Sequence, residues 1–82
     1  MKQHTIENRN RDLRGIAEEL HNTYGIAYKQ IAKTCNINYT QFSGWRNKDF
    51  DAGFKQLQRL ARLEKMLETH TTIAKYMNTE LF

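Results

Sequence analysis

The segment from Gln30 to Arg46, QIAKTCNINYTQFSGWR, carries amide, hydroxyl and basic side chains but no carboxylate. Amides and hydroxyls donate and accept hydrogen bonds, and cations attract anions. The acid-free stretch extends from Leu20 to Lys48 and holds four basic residues, whereas the rest of the chain has nine basic and nine acidic ones. The net charge of +4 therefore lies in this stretch. Such a surface favours a polyanionic partner, although a solvated basic face without a partner fits the charge equally well.

The other reactive side chains do not form the pattern of an enzyme or a metal site. The candidate metal ligands are His4, His21, His70 and Cys35, and no two of them have the short spacing of a zinc site. Glu18 and Glu19 are interpreted as residues on a solvated face of a helix. The sequence contains no glycine-rich phosphate loop. We therefore predict no enzymatic activity, no metal and no cofactor, and we expect Cys35 to be a small core residue.

Helical spacing dominates the chain of 82 residues, and strand signals are poor. The spacing predicts helices over Glu7 or Arg9 to Thr23, Ala27 to Cys35, Tyr39 to Arg46, and Ala52 to Glu68. The β-branched run Thr69–Thr72 is predicted to end the fourth helix, with one long helix through it left open. A last apolar stripe follows at Ile73, Ala74, Met77 and Leu81. The predicted fold class is all-α, a small four- to five-helix bundle in a single domain, 1–82.

Several helix ends have local signals. Gly25 suits the left-handed conformation that closes a helix, and Asn36 tolerates it. Asn38 is the candidate N-cap of the third helix, and Asp49 or Asp51 that of the fourth. Two short helices joined by a tight turn around Asn36 form a helix-turn-helix arrangement.

This arrangement accounts for the residue types around the turn. Ala32 is small where the two helices would cross, and Ile37 is an apolar anchor after the turn. Phe42 and Trp45 lie three residues apart and are expected to face the core. The opposite face of the third helix then carries polar side chains that suit base edges, and acids there would be repelled by phosphates.

Residues 28–47, YKQIAKTCNINYTQFSGWRN, resemble the helix-turn-helix of phage repressor and Cro-type regulators, the lambda-repressor-like DNA-binding domains. WRN followed by Lys48 is similar to the way many members end their recognition helix. Two residues depart from the family pattern: Asn36 stands where members usually have glycine, and Gly44 lies inside the recognition helix. The residues that stand at the family's buried positions are Ile31, Ala32, Ile37, Phe42 and Trp45.

The resemblance implies a sequence-specific regulator of transcription, of phage or prophage type, which binds double-stranded DNA and places helix 39–46 in the major groove. Repression is the default expectation, and activation stays open. The expected base contacts are Asn38, Tyr39, Thr40, Gln41 and Gly44. The expected phosphate contacts are Tyr28, Lys29, Lys33, Ser43, Arg46, Asn47 and Lys48. A homodimer is expected, and the C-terminal helix 70–82 would form its contact or cover the end of the core.

The alternative function is a helix-turn-helix scaffold that binds a protein, as an antirepressor or as an inhibitor of a host or defence protein. No apolar run approaches the ~20 residues that span a bilayer. The N-terminus, MKQHTIENRNRD, lacks the apolar core of a signal peptide. We therefore expect no membrane association and a cytoplasmic location, in a bacterial or phage-infected cell.

Overall fold

The computed structural model describes residues 2–80, with side chains from Thr5 to Met77. It contains five helices: α1 Lys2–Asn22, α2 Tyr28–Thr34, α3 Tyr39–Arg46, α4 Phe54–Leu60 and α5 Arg62–Glu80. Residues 2–80 contain no strand, so the prediction of an all-α bundle is confirmed. Among the same residues, no helix has both the length and the apolar character that crossing a bilayer requires.

One apolar core holds the five helices together, and α1 packs against α2, α4 and α5. Leu13, Ala17 and Leu20 of α1 are fully buried, because their three- and four-residue spacing places them on one face. Burial of Phe42 and Trp45 is confirmed, and these two rings lie 5.6 Å apart. The other buried apolar residues are Ile31, Ala32, Cys35, Ile37, Ala52, Leu60 and Leu63.

Residues in the left-handed conformation follow the ends of three helices. Gly25 has a φ of 70°, Asn36 of 57° and Lys48 of 68°. At the turn between α2 and α3, Asn36 donates its N–H to the carbonyl of Lys33 and Ile37 donates to that of Ala32, both at 3.0 Å. These two bonds satisfy carbonyl groups that the end of α2 would otherwise leave unpaired. The predictions for Gly25 and Asn36 are confirmed, whereas the sequence gives no signal for Lys48.

The first helix begins at Lys2, so the prediction of a start at Glu7 or Arg9 is wrong. The early turns of α1 dock on α5, where the Arg9 guanidinium donates to both carboxylate oxygens of Glu64, at 3.0 and 3.1 Å. These hydrogen bonds hold the pKa of Glu64 below its usual value. The local spacing of residues in the sequence cannot indicate a contact between residues so far apart in the chain.

The fourth predicted helix divides at Ala61, and the predicted break at Thr69–Thr72 does not occur. Threonine disfavours a helix interior by less than about 0.7 kcal/mol per residue, which tertiary contacts can offset. One such contact joins the hydroxyl of Tyr24 to that of Thr71, at 3.2 Å. The helix therefore continues through the threonines.

The N-cap of α4 is Gly53, which makes no side-chain capping bond, so the predictions of Asp49 and Asp51 are wrong. The carboxylate of Asp51 instead accepts a hydrogen bond from Arg14 of α1, at 2.8 Å. A carboxylate near the start of a helix is a capping signal only where no stronger partner is close.

In the part of the C-terminal apolar stripe that the structure describes, the two largest side chains lie outside the core. Ile73 and Met77 are exposed on α5, and Ala74 is half-buried. Leu81 and Phe82, which belong to the same predicted stripe, lie outside the described residues. A dimer contact through this part of the chain stays a prediction.

Candidate nucleic-acid interface

The helix α3 divides into a buried face and an outward face. Phe42 and Trp45 fix the buried face, and helical geometry then directs the residues between them outward. Ser43 and Gly44 are half-buried. The exposed residues at the start of α3 are Asn38, Tyr39, Thr40 and Gln41. None of these four is needed to fill the core.

Asn38 is the N-cap of α3, as the sequence predicts. Its Oδ1 accepts a hydrogen bond from the backbone N–H of Thr40, at 2.8 Å. The bond satisfies one of the free N–H groups at the start of the helix. The capping bond fixes the direction of the Asn38 amide and uses one of the two lone pairs of Oδ1, whereas Gln41 is exposed with its whole amide.

A groove of about 440 Å³ lies between the outer sides of α2 and α3. Tyr39 forms one wall, is 42% exposed, and has the Nζ of Lys29 at 5.7 Å from its ring centroid. The cation–π contact places a basic group beside the first turn of α3. The lining residues are Lys29, Ala32, Lys33, Asn36, Ile37, Asn38 and Tyr39. This groove contains no carboxylate.

Tyr28, the first residue of α2, packs between two other side chains. The ring of His21 stacks on it with centroids 3.9 Å apart. The Cζ atom of Arg46 lies 4.1 Å from the centroid of the same ring. Because the imidazole covers one face of Tyr28, the guanidinium must occupy the other. Arg46 is thereby held at the end of α3, next to the start of α2.

A second and narrower cleft, of about 240 Å³, lies beside Arg46. It is lined by Arg14, Glu18, Tyr28, Arg46 and Lys48. Arg14 already bonds to Asp51, so the cations that face this cleft and have no ion pair within the described part of the chain are Arg46 and Lys48. Three of the expected phosphate contacts, Tyr28, Arg46 and Lys48, therefore come together in one place.

Lys48 is held in a backbone conformation that suits glycine better. Its φ of 68° arises because its N–H donates to the carbonyl of Trp45 at 3.1 Å and the N–H of Asp49 donates to that of Gly44 at 2.9 Å. A residue with a Cβ atom is strained there. Strain of this kind is often retained where the side chain has a function.

Gly44 has a packing reason to be glycine. A Cβ atom at this position would lie 2.8 Å from a ring carbon of Phe50, which is closer than real contacts allow. The Phe50 ring therefore lies over the outward side of α3 at Gly44, which is one of the expected base contacts. Among the other expected phosphate contacts, Lys33 and Asn47 are exposed and Ser43 is half-buried.

Two residues that sequence reasoning does not single out hold the end of α3 in place. Asn10 is fully buried, and its Oδ1 accepts from the indole Nε1 of Trp45 at 2.7 Å and from the N–H of Ala52 at 2.8 Å. Arg14 donates through Nε to the carbonyl of Trp45, at 2.6 Å, and through Nη2 to that of Phe50, at 2.8 Å. The sequence did contain a signal for the burial of Asn10, because Asn10 lies three residues before Leu13 on the apolar face of α1.

Cys35 is a core residue, in agreement with the sequence. Its side chain is fully buried, and burial raises the pKa of the thiol to about 11. The thiol therefore stays protonated at neutral pH. Within the part of the chain that the structure describes, no three His, Cys, Asp or Glu side chains are placed to share a metal ion.

Comparisons with protein-family models, curated proteins and solved structures give no match to this chain. Its function is therefore inferred from the geometry and charge of the α2–α3 surface.

Proposed function

We propose that the protein binds double-stranded DNA sequence-specifically through α2 and α3 and regulates transcription, as a repressor of phage or prophage type. The observation that carries the proposal is the outward side of α3. Exposed Tyr39, Thr40 and Gln41 lie on a helix that has a basic cleft at each end, and the core does not require these three residues. Phosphate contacts would orient the protein on the duplex, and contacts to base edges would supply specificity.

The parts of the surface take distinct roles in this proposal. An α-helix fits the major groove, so the start of α3 would face base edges there. The amide of Gln41 matches the N6 and N7 groups of adenine. Tyr39 is large, and its hydroxyl suits a sugar or phosphate contact. Lys29 and Lys33 near the start of α3, and Arg46 and Lys48 at its end, would bind the phosphates that border the groove.

A homodimer belongs to the same proposal, because one recognition helix contacts too few base pairs for high specificity. The candidate contact is the exposed apolar side of α5, where Ile73, Tyr76 and Met77 are each about half exposed or more. A second copy of the chain would bury these side chains against their own counterparts.

The second candidate function is binding to a protein through the same face. The observation in its favour is a pair of aromatic side chains, Tyr39 and Phe50, each 42% exposed beside α3. Exposed aromatic residues often anchor protein interfaces. The groove beside Tyr39 has no carboxylate among its lining residues, which argues against mimicry of DNA and in favour of an acidic partner, whereas Asp49 and Asp51 flank Phe50.

Affinity for duplex DNA is expected to fall steeply as the salt concentration rises, because bound lysines and arginines displace counterions from phosphates. Single variants Lys29→Gln, Lys33→Gln and Arg46→Gln should each weaken binding to mixed-sequence duplexes. Each should also reduce the slope of log K against log salt by about 0.9. Fluorescence anisotropy titrations at several salt concentrations measure both effects. Lys65→Gln, an exposed lysine of α5 that lines neither cleft, is the control. Absence of affinity at low salt would reject DNA binding and leave the protein partner.

Lys48→Gly is expected to separate stability from binding. Removing the strained Cβ atom should raise the free energy of unfolding by up to about 1 kcal/mol. Loss of the ammonium group should at the same time weaken DNA binding. Lys48→Ala is the matched control, because it loses the charge and keeps the strain, so only its binding should change. Urea unfolding followed by circular dichroism, together with anisotropy titrations, tests both parts. Undiminished DNA affinity in both variants would remove Lys48 from the interface.

A further inference from the structure

The junction of α4 and α5 carries a basic patch that lies outside the acid-free stretch of the sequence. Lys55, Arg59 and Arg62 follow one another at four- and three-residue spacing and are all exposed. Together with Gln58 they line a polar cleft of about 320 Å³. We refer to Lys55, Arg59 and Arg62 as the junction patch.

No ion pair neutralises the junction patch among the residues that the structure describes. The nearest acid along the chain, Glu64, points to the other side of α5 and bonds to Arg9. Lys55 and Arg59 lie four residues apart on α4, a spacing at which like charges repel each other, and Arg62 adds a third positive charge from the start of α5. The arrangement therefore favours an anionic ligand over a purely structural role.

The junction patch adjoins the turn between α2 and α3. Arg62 donates through Nη1 to the carbonyl of Thr34 at 3.3 Å, and Nη1 of Arg59 lies 3.5 Å from the carbonyl of Asn36. Asn36 and its neighbour Lys33 also line the groove beside Tyr39. The patch and the groove thus form one basic surface that continues around the turn.

The two arginine contacts leave most of the hydrogen-bond donors of the junction patch without a partner in the described residues. Each is long for a hydrogen bond and involves one of the five N–H donors of a guanidinium group. In the described part of the chain, the ammonium group of Lys55 makes no hydrogen bond or ion pair to another residue. Most of the donors and all three charges remain available to a ligand.

We infer that the junction patch is a second phosphate-binding surface, which contacts the sugar-phosphate backbone of the same duplex beyond the base pairs that face α3. The inference rests on the proposed function, because it requires the duplex to lie against α2 and α3. Phosphates match the patch, since it presents point charges around a polar cleft. An acidic protein segment is the competing occupant, but no aromatic side chain lines the cleft to anchor one.

The test is acetylation of lysine amines in the full-length protein, with and without a mixed-sequence duplex of about two helical turns. Mass spectrometry measures the modification rate at each lysine. Lys29 and Lys33 report on the proposed function, Lys55 reports on the junction patch, and Lys65 of α5 is the internal control. Lys29, Lys33 and Lys55 should all be acetylated several-fold more slowly with DNA present, whereas Lys65 should be unaffected.

The variant Lys55→Gln/Arg59→Gln/Arg62→Gln supplies the energetic test. It should reduce the slope of log K against log salt by about 0.9 for each phosphate contact that is lost. Lys55→Gln alone keeps both arginine contacts to the turn, so it answers the question if the triple variant unfolds. Protection of Lys29 and Lys33 without protection of Lys55 would overturn the inference and leave the proposed function standing. Protection of Lys55 by polyglutamate but not by DNA would assign the patch to an acidic protein and also overturn it. Protection of none of these lysines would reject both proposals.

Discussion

Trp45→Ala is expected to lower the free energy of unfolding by about 3–5 kcal/mol, the usual cost of removing a large buried aromatic side chain. Trp45 is 2% exposed and packs against Phe42, with the Cζ of Arg14 at 5.3 Å from its ring centroid. Its indole N–H also donates to buried Asn10 at 2.7 Å. The total stability of such a small domain is about 0.05–0.15 kcal/mol per residue, so the variant should be largely unfolded at 37 °C. Thermal unfolding followed by circular dichroism measures the loss.

Trp45→Phe is the matched control, because it keeps an aromatic ring and removes the N–H donor. The Oδ1 of Asn10 would still accept from the N–H of Ala52, at 2.8 Å, so no buried acceptor would be left without a partner. We expect a smaller loss than for alanine. An alanine variant that melts with the wild type would mean that Trp45 is exposed, and it would shift the register of α3.

The second and third helices were predictable because their signals are local. Ile31, Phe42 and Trp45 follow helical spacing, and both ends of the turn have a residue suited to its backbone. Asn36 adopts the left-handed conformation and Asn38 caps the next helix, each through bonds to residues at most four positions away. Such signals can be recognised without knowledge of the tertiary structure.

The rest of the fold depends on long-range contacts that cannot be recognised from the sequence alone. Arg9 and Glu64, which are 55 residues apart, join α1 to α5. The helix through Thr69–Thr72 is supported by Tyr24, from the end of α1. Intrinsic propensity is weak enough that such contacts decide where a helix begins or ends.

The same distinction between local signals and tertiary contacts applies to the candidate site. Exposure of Tyr39, Thr40 and Gln41 follows from the burial of Phe42, and this could be deduced from spacing. The strained backbone of Lys48 and the ring of Phe50 over Gly44 could not, because both depend on how the loop after α3 folds back. Arg14 and Asn10 hold that loop from α1, and only the structure shows them doing so.

Gln41→Ala is expected to remove about 1–3 kcal/mol of discrimination at one base position of each half-site. Gln41 is exposed and contributes nothing to the core, so unfolding should be unchanged. Binding to random DNA should barely change either, because phosphate contacts supply it. Asn22→Ala, which removes an exposed amide at the end of α1 and lines none of the basic clefts, is the control for nonspecific effects of an amide-to-alanine change.

Sequence-specific binding through α3 is tested by selection from a random duplex library, with the wild type and Gln41→Ala in parallel. We expect the wild type to enrich one motif and Gln41→Ala to relax a single position of it. If the protein is a dimer, the motif should be roughly palindromic, with half-sites about one helical turn apart. Recovery of no enriched motif by a folded wild-type protein would contradict sequence-specific DNA binding and would direct the search to protein partners of the α3 face.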